Sequence, residues 1–292
     1  MGNLHKSEVN RILGFPDDAR LLIINADDFG MCHAINTGIL QAFGAGLVQS
    51  TSLMTPCPWA LHAINILKEN PDISFGVHLT LICEMVNYKW GSLTSREKVP
   101  SLHDETGYFY HDDRMSEFLA VVKLDEIEIE YRAQIEMVLE TGLKPTHLDW
   151  HCLSDGGRAD MLDLKLGLAK EYGLAMRGNG QVHVDRLLDQ GLPVNEHDTL
   201  DSFLIDPATK PSQYAQMLRE LPIGLSEWAV HPAIENDELL TIEPTGNHVR
   251  QTDLDFLMSS EAHEVIEQEG IILLNYESLQ AVWQGKTFTY LS

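Results

Sequence analysis

Short, wholly apolar runs alternate along this chain with stretches whose apolar residues recur every three to four positions. RLLIINADD opens the series. Leu21, Leu22, Ile23 and Ile24 form an unbroken apolar run that turns abruptly polar, as expected of a buried strand. HAINTGILQAFGAGL follows as a helix, with Ile35, Ile39, Leu40 and Phe43 on one face and glycines at its close. VQSTSLM reads as a strand, WALHAINILKEN as a helix stopped by Pro71, and ISFGVHLTL as a third strand. Beyond them come the helix KLDEIEIEYRAQIEMVLETG, the strand THLDWH, the helix ADMLDLKLGLAKEYG with Gly173 at its end, and the strand LAMRG. DSFLID, EWAVHP and GIILLNY complete eight strand candidates.

Strands interleaved with helices predict a parallel sheet, and eight of them favour an α/β barrel over a doubly wound open sheet. The turn after the first strand, ADDFGM, has no G-x-G-x-x-G or Walker pattern, so it gives no nucleotide-binding reason for an open sheet. Two stretches break the alternation. Residues 84–120 have no clean period, and an irregular run of that length is expected to be a functional loop or lid. Residues 180–220 hold Pro193, Pro207 and Pro211 with weak periodicity, and read as surface elaboration. No repeat or linker divides the chain.

Polar residues of the ligand and acid–base type stand where the strands end. In parallel barrels that end carries the site, so Asp27-Asp28, His78, the His147/Asp149/His151 group and His231 are predicted to converge. Adjacent carboxylates repel, so a cation must neutralise one or its pKa must rise. A divalent metal on one would leave the other free to take a proton. The same pair also suits a helix N-terminus. His78, after Gly76-Val77, fits either a ligand or a core histidine. His147 and His151 share one face of a strand with Asp149, unless the chain leaves the strand after Asp149 and His151 swings over the mouth. One Asp with two His is a common zinc set with positions left for water and substrate, and it also suits other first-row ions. His231, in WAVHPAIEND, reads as a general acid for a leaving amine or as a structural histidine in a tight turn.

A net charge of −24 argues against nucleic acid and anionic membranes as partners and favours a neutral small molecule. Cys32, Cys57, Cys83 and Cys152 form no C-x-x-C pair and read as reduced thiols of a cytoplasmic protein. The first residues lack the apolar core of a signal peptide, and no run approaches a membrane span.

With these residues in place, the sequence resembles the YdjC/ChbG family of carbohydrate deacetylases, distant relatives of the polysaccharide deacetylases. The matching segments are LLIINADDFGMCHAINTGILQAFGAGLVQSTSLM, ISFGVHLTL, KPTHLDWH, EYGLAMR, EWAVHPA and GIILLNYESL. They cover most of residues 20–280 in the family's order. The resemblance implies a single-domain distorted (β/α) TIM-like barrel over 20–292, with 1–19 as an extension outside it. It further implies a metal-dependent enzyme, commonly a homodimer, that removes acetyl groups from N-acetylglucosamine-type mono- or oligosaccharides such as chitin fragments. By motif, Asp28, His78 and His151 would hold one divalent ion, Zn²⁺ or Mg²⁺. Asp27 would be the base and His231 the acid. The family's histidine run after the fourth strand is replaced here by HCLSDGGR, with Cys152 and Asp155 nearby, a departure that bears on specificity more than on metal binding.

Arg177 would orient Asp27 or the sugar. Trp90 and Tyr108, with Tyr110, would stack on a sugar face or pack within the long loop. Two rivals remain. One is another metal hydrolase on the same barrel, acting on a different amide or a phosphoester, although no basic phosphate cluster is visible. The other is a non-catalytic sugar-binding protein, which would not need the base and acid.

Overall fold

A computed structural model describes residues 7–153, 157–178, 180–201 and 203–288. After a short helix α1 (Glu8–Leu13), strand β1 (Arg20–Phe29) runs through the centre with all but its first residue buried. There follow α2 (His33–Ala45), β2 (Ser50–Leu53), α3 (Ala60–Glu69) and β3 (Phe75–Leu79). The irregular stretch carries only short pieces: β4 (Ile82–Cys83), β5 (Tyr110–His111) and α4 (Met115–Val121). Next come α5 (Leu124–Glu140), β6 (His147–Trp150), α6 (Ala159–Tyr172), β7 (Ala175–Met176) and α7 (Gln181–Leu188). The chain continues through β8 (Leu200–Asp201), α8 (Lys210–Arg219), β9 (Gly224–Val230), α9 (Asp237–Ile242), α10 (Asn247–Leu257) and α11 (Ser260–Gln268). It closes with β10 (Ile272–Leu273) and α12 (Tyr276–Trp283).

The main sheet is wholly parallel, in the order β7-β6-β3-β2-β1-β9-β8. One edge of β1 serves two strands in turn: Leu21 and Leu22 pair with β10, and Asn25 and Ala26 with β2. Were this sheet flat, β7 and β9 would lie about 24 Å apart, five strand spacings of about 4.8 Å. Yet Arg177, directly after β7, bonds to Glu227 of β9 at 2.9 Å. The sheet therefore curls round on itself. Among the described residues β7 and β8 do not pair, so the result is a distorted (β/α) barrel with a gap between them.

The floor of the barrel is a second apolar cluster. Val9, Leu13 and Phe15 pack with Leu21, Ile23, Leu225, Tyr276 and Leu279. The segment ahead of β1, expected to stand outside the barrel, instead covers the apolar N-terminal ends of β1 and β9. Ser7 caps α1 by accepting from the Asn10 amide, and Gly14 ends it at φ 75.

Three other expectations change. Among the described residues of DSFLID only Asp201 pairs, as the end of strand Leu200–Asp201, and Phe203 and Leu204 lie at a cavity instead of in a sheet; Leu204 is 96% exposed. Residues 180–220 are not surface elaboration. They contribute α7 and α8, and α8 packs on α10 and α11 with Tyr214 fully buried. Its periodicity was masked because the buried face of α8 includes Lys210, paired with Asp253 at 2.7 Å. GIILLNY yields a strand of only two residues, since the chain enters α12 at Tyr276.

Helix α2 lies hard against the segment after β9. A Cβ on Gly38 would sit 2.5 Å from the Ala233 Cα, and the Ile234 amide donates to the Ala34 carbonyl at 3.2 Å. Helix propensity alone predicts that Gly38→Ala stabilises. The contact predicts the opposite: a loss of about 1–3 kcal/mol from overpacking, read by urea denaturation. A more stable variant would contradict this packing.

Candidate active site

Successive residues of a strand point to opposite faces, so Asp27 and Asp28 should not share a site. They do because β1 is irregular there. Its register against β2 shifts between Ala26 and Phe29, and Asp28 adopts φ 72, a left-handed conformation that short Asp side chains tolerate. Both carboxylates reach one cavity of about 440 Å³, which His78, His151, Arg177 and His231 also line. These groups come from the C-terminal ends of β1, β3, β6, β7 and β9, whereas His147, expected among them, begins β6 and stacks on Tyr276 at 3.6 Å, off the cavity wall.

Asp28 is the hub. Its Oδ1 lies 3.3 Å from His151 Nδ1 and 3.6 Å from His78 Nε2. Its Oδ2 accepts from Arg250 Nη1 at 2.8 Å. Burial alone would raise this carboxyl, but the Arg250 guanidinium and the His151 hydrogen bond hold it well below the usual range. His78 Nδ1 donates to Asp149 Oδ1 at 2.8 Å, which turns Nε2 toward Asp28 as the nitrogen whose lone pair an ion would take up in place of a proton. Asp28, His78 and His151 thus offer three ligand atoms within 4.8 Å of one another, all buried. Tetrahedral zinc with bonds of about 2.0–2.1 Å needs its ligands about 3.3 Å apart. Separations of 3.3 and 3.6 Å from Asp28 Oδ1 fit that demand.

Asp27 belongs to a second cluster. Arg177 grips it with two hydrogen bonds of 2.9 and 2.8 Å, while Asn25 Nδ2 and Ser52 Oγ donate to its Oδ1 at 2.6 and 3.2 Å. Against the upward push of burial, Arg177 keeps its pKa lowered. The same guanidinium also meets Asp149 Oδ2 at 3.0 Å and Glu227 Oε1 at 2.8 Å. Burial lifts Glu227 to about 7 despite Arg177, and the Tyr276 hydroxyl donates to its other oxygen. The repulsion expected between Asp27 and Asp28 is therefore relieved by two arginines, one for each carboxylate. A metal is not required on that ground, and the case for an ion rests on ligand geometry.

His231 lines the cavity with a buried Nδ1 that has no hydrogen-bond partner among the described residues. Its backbone amide donates to Asp253, which Lys210 and Tyr214 hold from the far side. Phe203 stands edge-on to its ring at 5.2 Å.

Neither Trp90 nor Tyr108 is on the cavity wall. Trp90 is 2% exposed, donates to the Ile82 carbonyl and sits edge-on to His151 at 5.9 Å, so it backs the site from inside the core. Tyr108 is half exposed under Arg96, and Tyr110 packs on Phe118. Their places on the wall are taken by Trp150, Phe203 and Leu204. Arg250, Glu84 and Glu227 escaped the sequence reading. Only Glu227 carries a signal, as a lone charge in the otherwise uncharged strand GLSEWAV. Asp155 lies outside the described residues.

Fold and site together define a parallel (β/α) barrel whose strand ends present an Asp–His–His cluster beside an arginine-held carboxylate. The sequence model of the YdjC-like protein family matches residues 21–268. The chain belongs to the YdjC-like family. It is 34% identical to a carbohydrate deacetylase of Enterococcus faecalis, over 88% of this chain and 97% of that one. It is 30% identical to a carbohydrate deacetylase of Thermoanaerobacter pseudethanolicus, over 89% and 100%. A crystal structure from Enterococcus faecalis, provisionally described as a cellobiose-phosphate cleavage protein, superposes with a TM-score of 0.76 at 32% identity, covering 89% of this chain and 99% of that one.

Proposed function

We propose that this protein is a metal-dependent hydrolase that removes the acetyl group from N-acetylated carbohydrates, mono- or oligosaccharides of the N-acetylglucosamine type such as chitin fragments. The observation that carries the reading is the spacing of Asp28 Oδ1, His78 Nε2 and His151 Nδ1, with Asp149 fixing the His78 ring. The curated relatives named carbohydrate deacetylase supply the substrate class.

Two imidazoles and one carboxylate suit Zn²⁺ or a similar first-row ion better than Mg²⁺, which prefers an all-oxygen shell. Bound there, a divalent ion would acidify water and polarise the acetyl carbonyl. The chain's own residues do the rest. Asp27, fixed by Arg177, Asn25 and Ser52, takes the proton of the attacking water. His231, anchored through Asp253, gives a proton to the departing sugar amine. Trp150 and Phe203 offer apolar surface to the sugar ring. A phosphoester substrate is disfavoured, because Arg177 and Arg250 are both committed to carboxylates. The reading also takes the protein to be cytoplasmic, as its unpaired cysteines suggest, and a homodimer, as the family resemblance implies.

Acetate release from N-acetylglucosamine oligomers, assayed before and after chelation, tests the proposal. Chelation is expected to lower the rate at least about tenfold, with recovery on adding zinc. A rate indifferent both to chelation and to His78→Ala would overturn it.

A further inference from the structure

His151 faces two ways. Its Nδ1 looks inward at Asp28, while its Nε2 lies 2.7 Å from Glu84 Oε2 and 3.2 Å from Cys152 Sγ. Oxygen, nitrogen and sulfur here all lie within 4.8 Å of one another. Glu84 and Cys152 both line the cavity, and nothing in the proposed reaction uses either.

We propose that Glu84, His151 and Cys152 form a second, outer site for a thiophilic divalent cation of the zinc class, with the His151 ring bridging it to the inner cluster. Zinc bonds of about 2.0–2.2 Å to nitrogen and oxygen and about 2.3 Å to sulfur place such ligands about 3.3–3.6 Å apart. Opening the His151–Glu84 separation from 2.7 Å by about 0.6 Å and the His151–Cys152 separation from 3.2 Å by about 0.4 Å reaches that geometry. A carboxylate, an imidazole and a thiolate select zinc-like ions over Mg²⁺ and Ca²⁺. Binding displaces the thiol proton and the ring proton on Nε2 to solvent, and the carboxylate, thiolate and bridging ring neutralise the charge brought in. Cys152 is exposed among the described residues, which leaves a fourth position for water.

The outer site shares His151 with the proposed inner site but does not depend on an ion being bound there. Titrating the full-length, metal-free protein with Co²⁺ separates the two. Two equivalents should bind per chain, one of them bringing the near-ultraviolet thiolate-to-cobalt absorption. Cys152→Ser should lose that absorption and one equivalent. His78→Ala should lose the inner equivalent and keep the absorption. A wild-type titration without the thiolate band overturns the proposal. So does a Cys152→Ser variant that still binds two ions, or a band that appears with a single equivalent in all. Failure of the deacetylase reading would show differently, as acetate release unaffected by His78→Ala while the band persists.

Discussion

Replacing Asp27 with asparagine is expected to lower turnover of an N-acetylglucosamine oligomer roughly 10²–10⁴-fold while leaving bound metal at the wild-type level. The substitution keeps the shape of the side chain and removes the negative charge that receives the proton. Arg177 retains Asp149 and Glu227 as partners, so the guanidinium stays in place. Asp28, His78 and His151 share no hydrogen bond with Asp27, so the three ligand atoms are expected to keep their places. Steady-state kcat beside metal content by elemental analysis separates the two effects. Unchanged kcat would remove Asp27 from the role of base. Lost metal would make it a ligand instead.

Arg177→Met should act on the fold as much as on the chemistry. One buried guanidinium faces Asp27, Asp149 and Glu227. Removing it leaves buried carboxylates without their cation, at an expected cost of about 3–5 kcal/mol at neutral pH. The pH dependence follows from the sign of the shifts. In the native protein Asp27 and Asp149 are held low, chiefly by Arg177 working against burial, so their contribution is present above the unfolded carboxylate range and lost in acid. Without Arg177 their folded pKa values rise above the unfolded ones. Stability is then lost as pH rises through the raised values, so the penalty shrinks between pH 7 and about 4. Glu227 already behaves this way in the native protein, since burial places it at about 7. Urea denaturation across that range reads the effect. A penalty under about 1 kcal/mol, or one independent of pH, would contradict the buried network as described.

What could be read from the sequence follows from which forces leave a local trace. Leu21 to Ile24 form a run that only a fully buried strand explains, and β1 is that strand. His78, Asp149 and His151 stood out because polar residues end apolar strands, and the barrel gathers such ends by construction. Arg250 left no such trace. It sits in α10, within NHVRQTDLDFL, far from Asp28 in sequence, and only the packing of α10 on α2 brings its guanidinium over the strand ends. Glu84 lay in a stretch without periodicity, where no register says which way a side chain turns. Trp90 stays open from sequence for a related reason: an aromatic in an irregular loop can face a ligand or pack, and here its ring fills space behind His151. The repulsion between Asp27 and Asp28, which the sequence alone assigns to a cation or a raised pKa, is relieved by two arginines, and their shared cavity comes from the left-handed turn at Asp28.

The central claim is that one cation sits among three side chains drawn from β1, β3 and the end of β6. Anomalous diffraction at the zinc edge, from crystals of zinc-loaded active protein, tests it most directly. The account predicts a peak about 2.0–2.2 Å from each of Asp28 Oδ1, His78 Nε2 and His151 Nδ1. An active, zinc-containing crystal with no density at that point would contradict it.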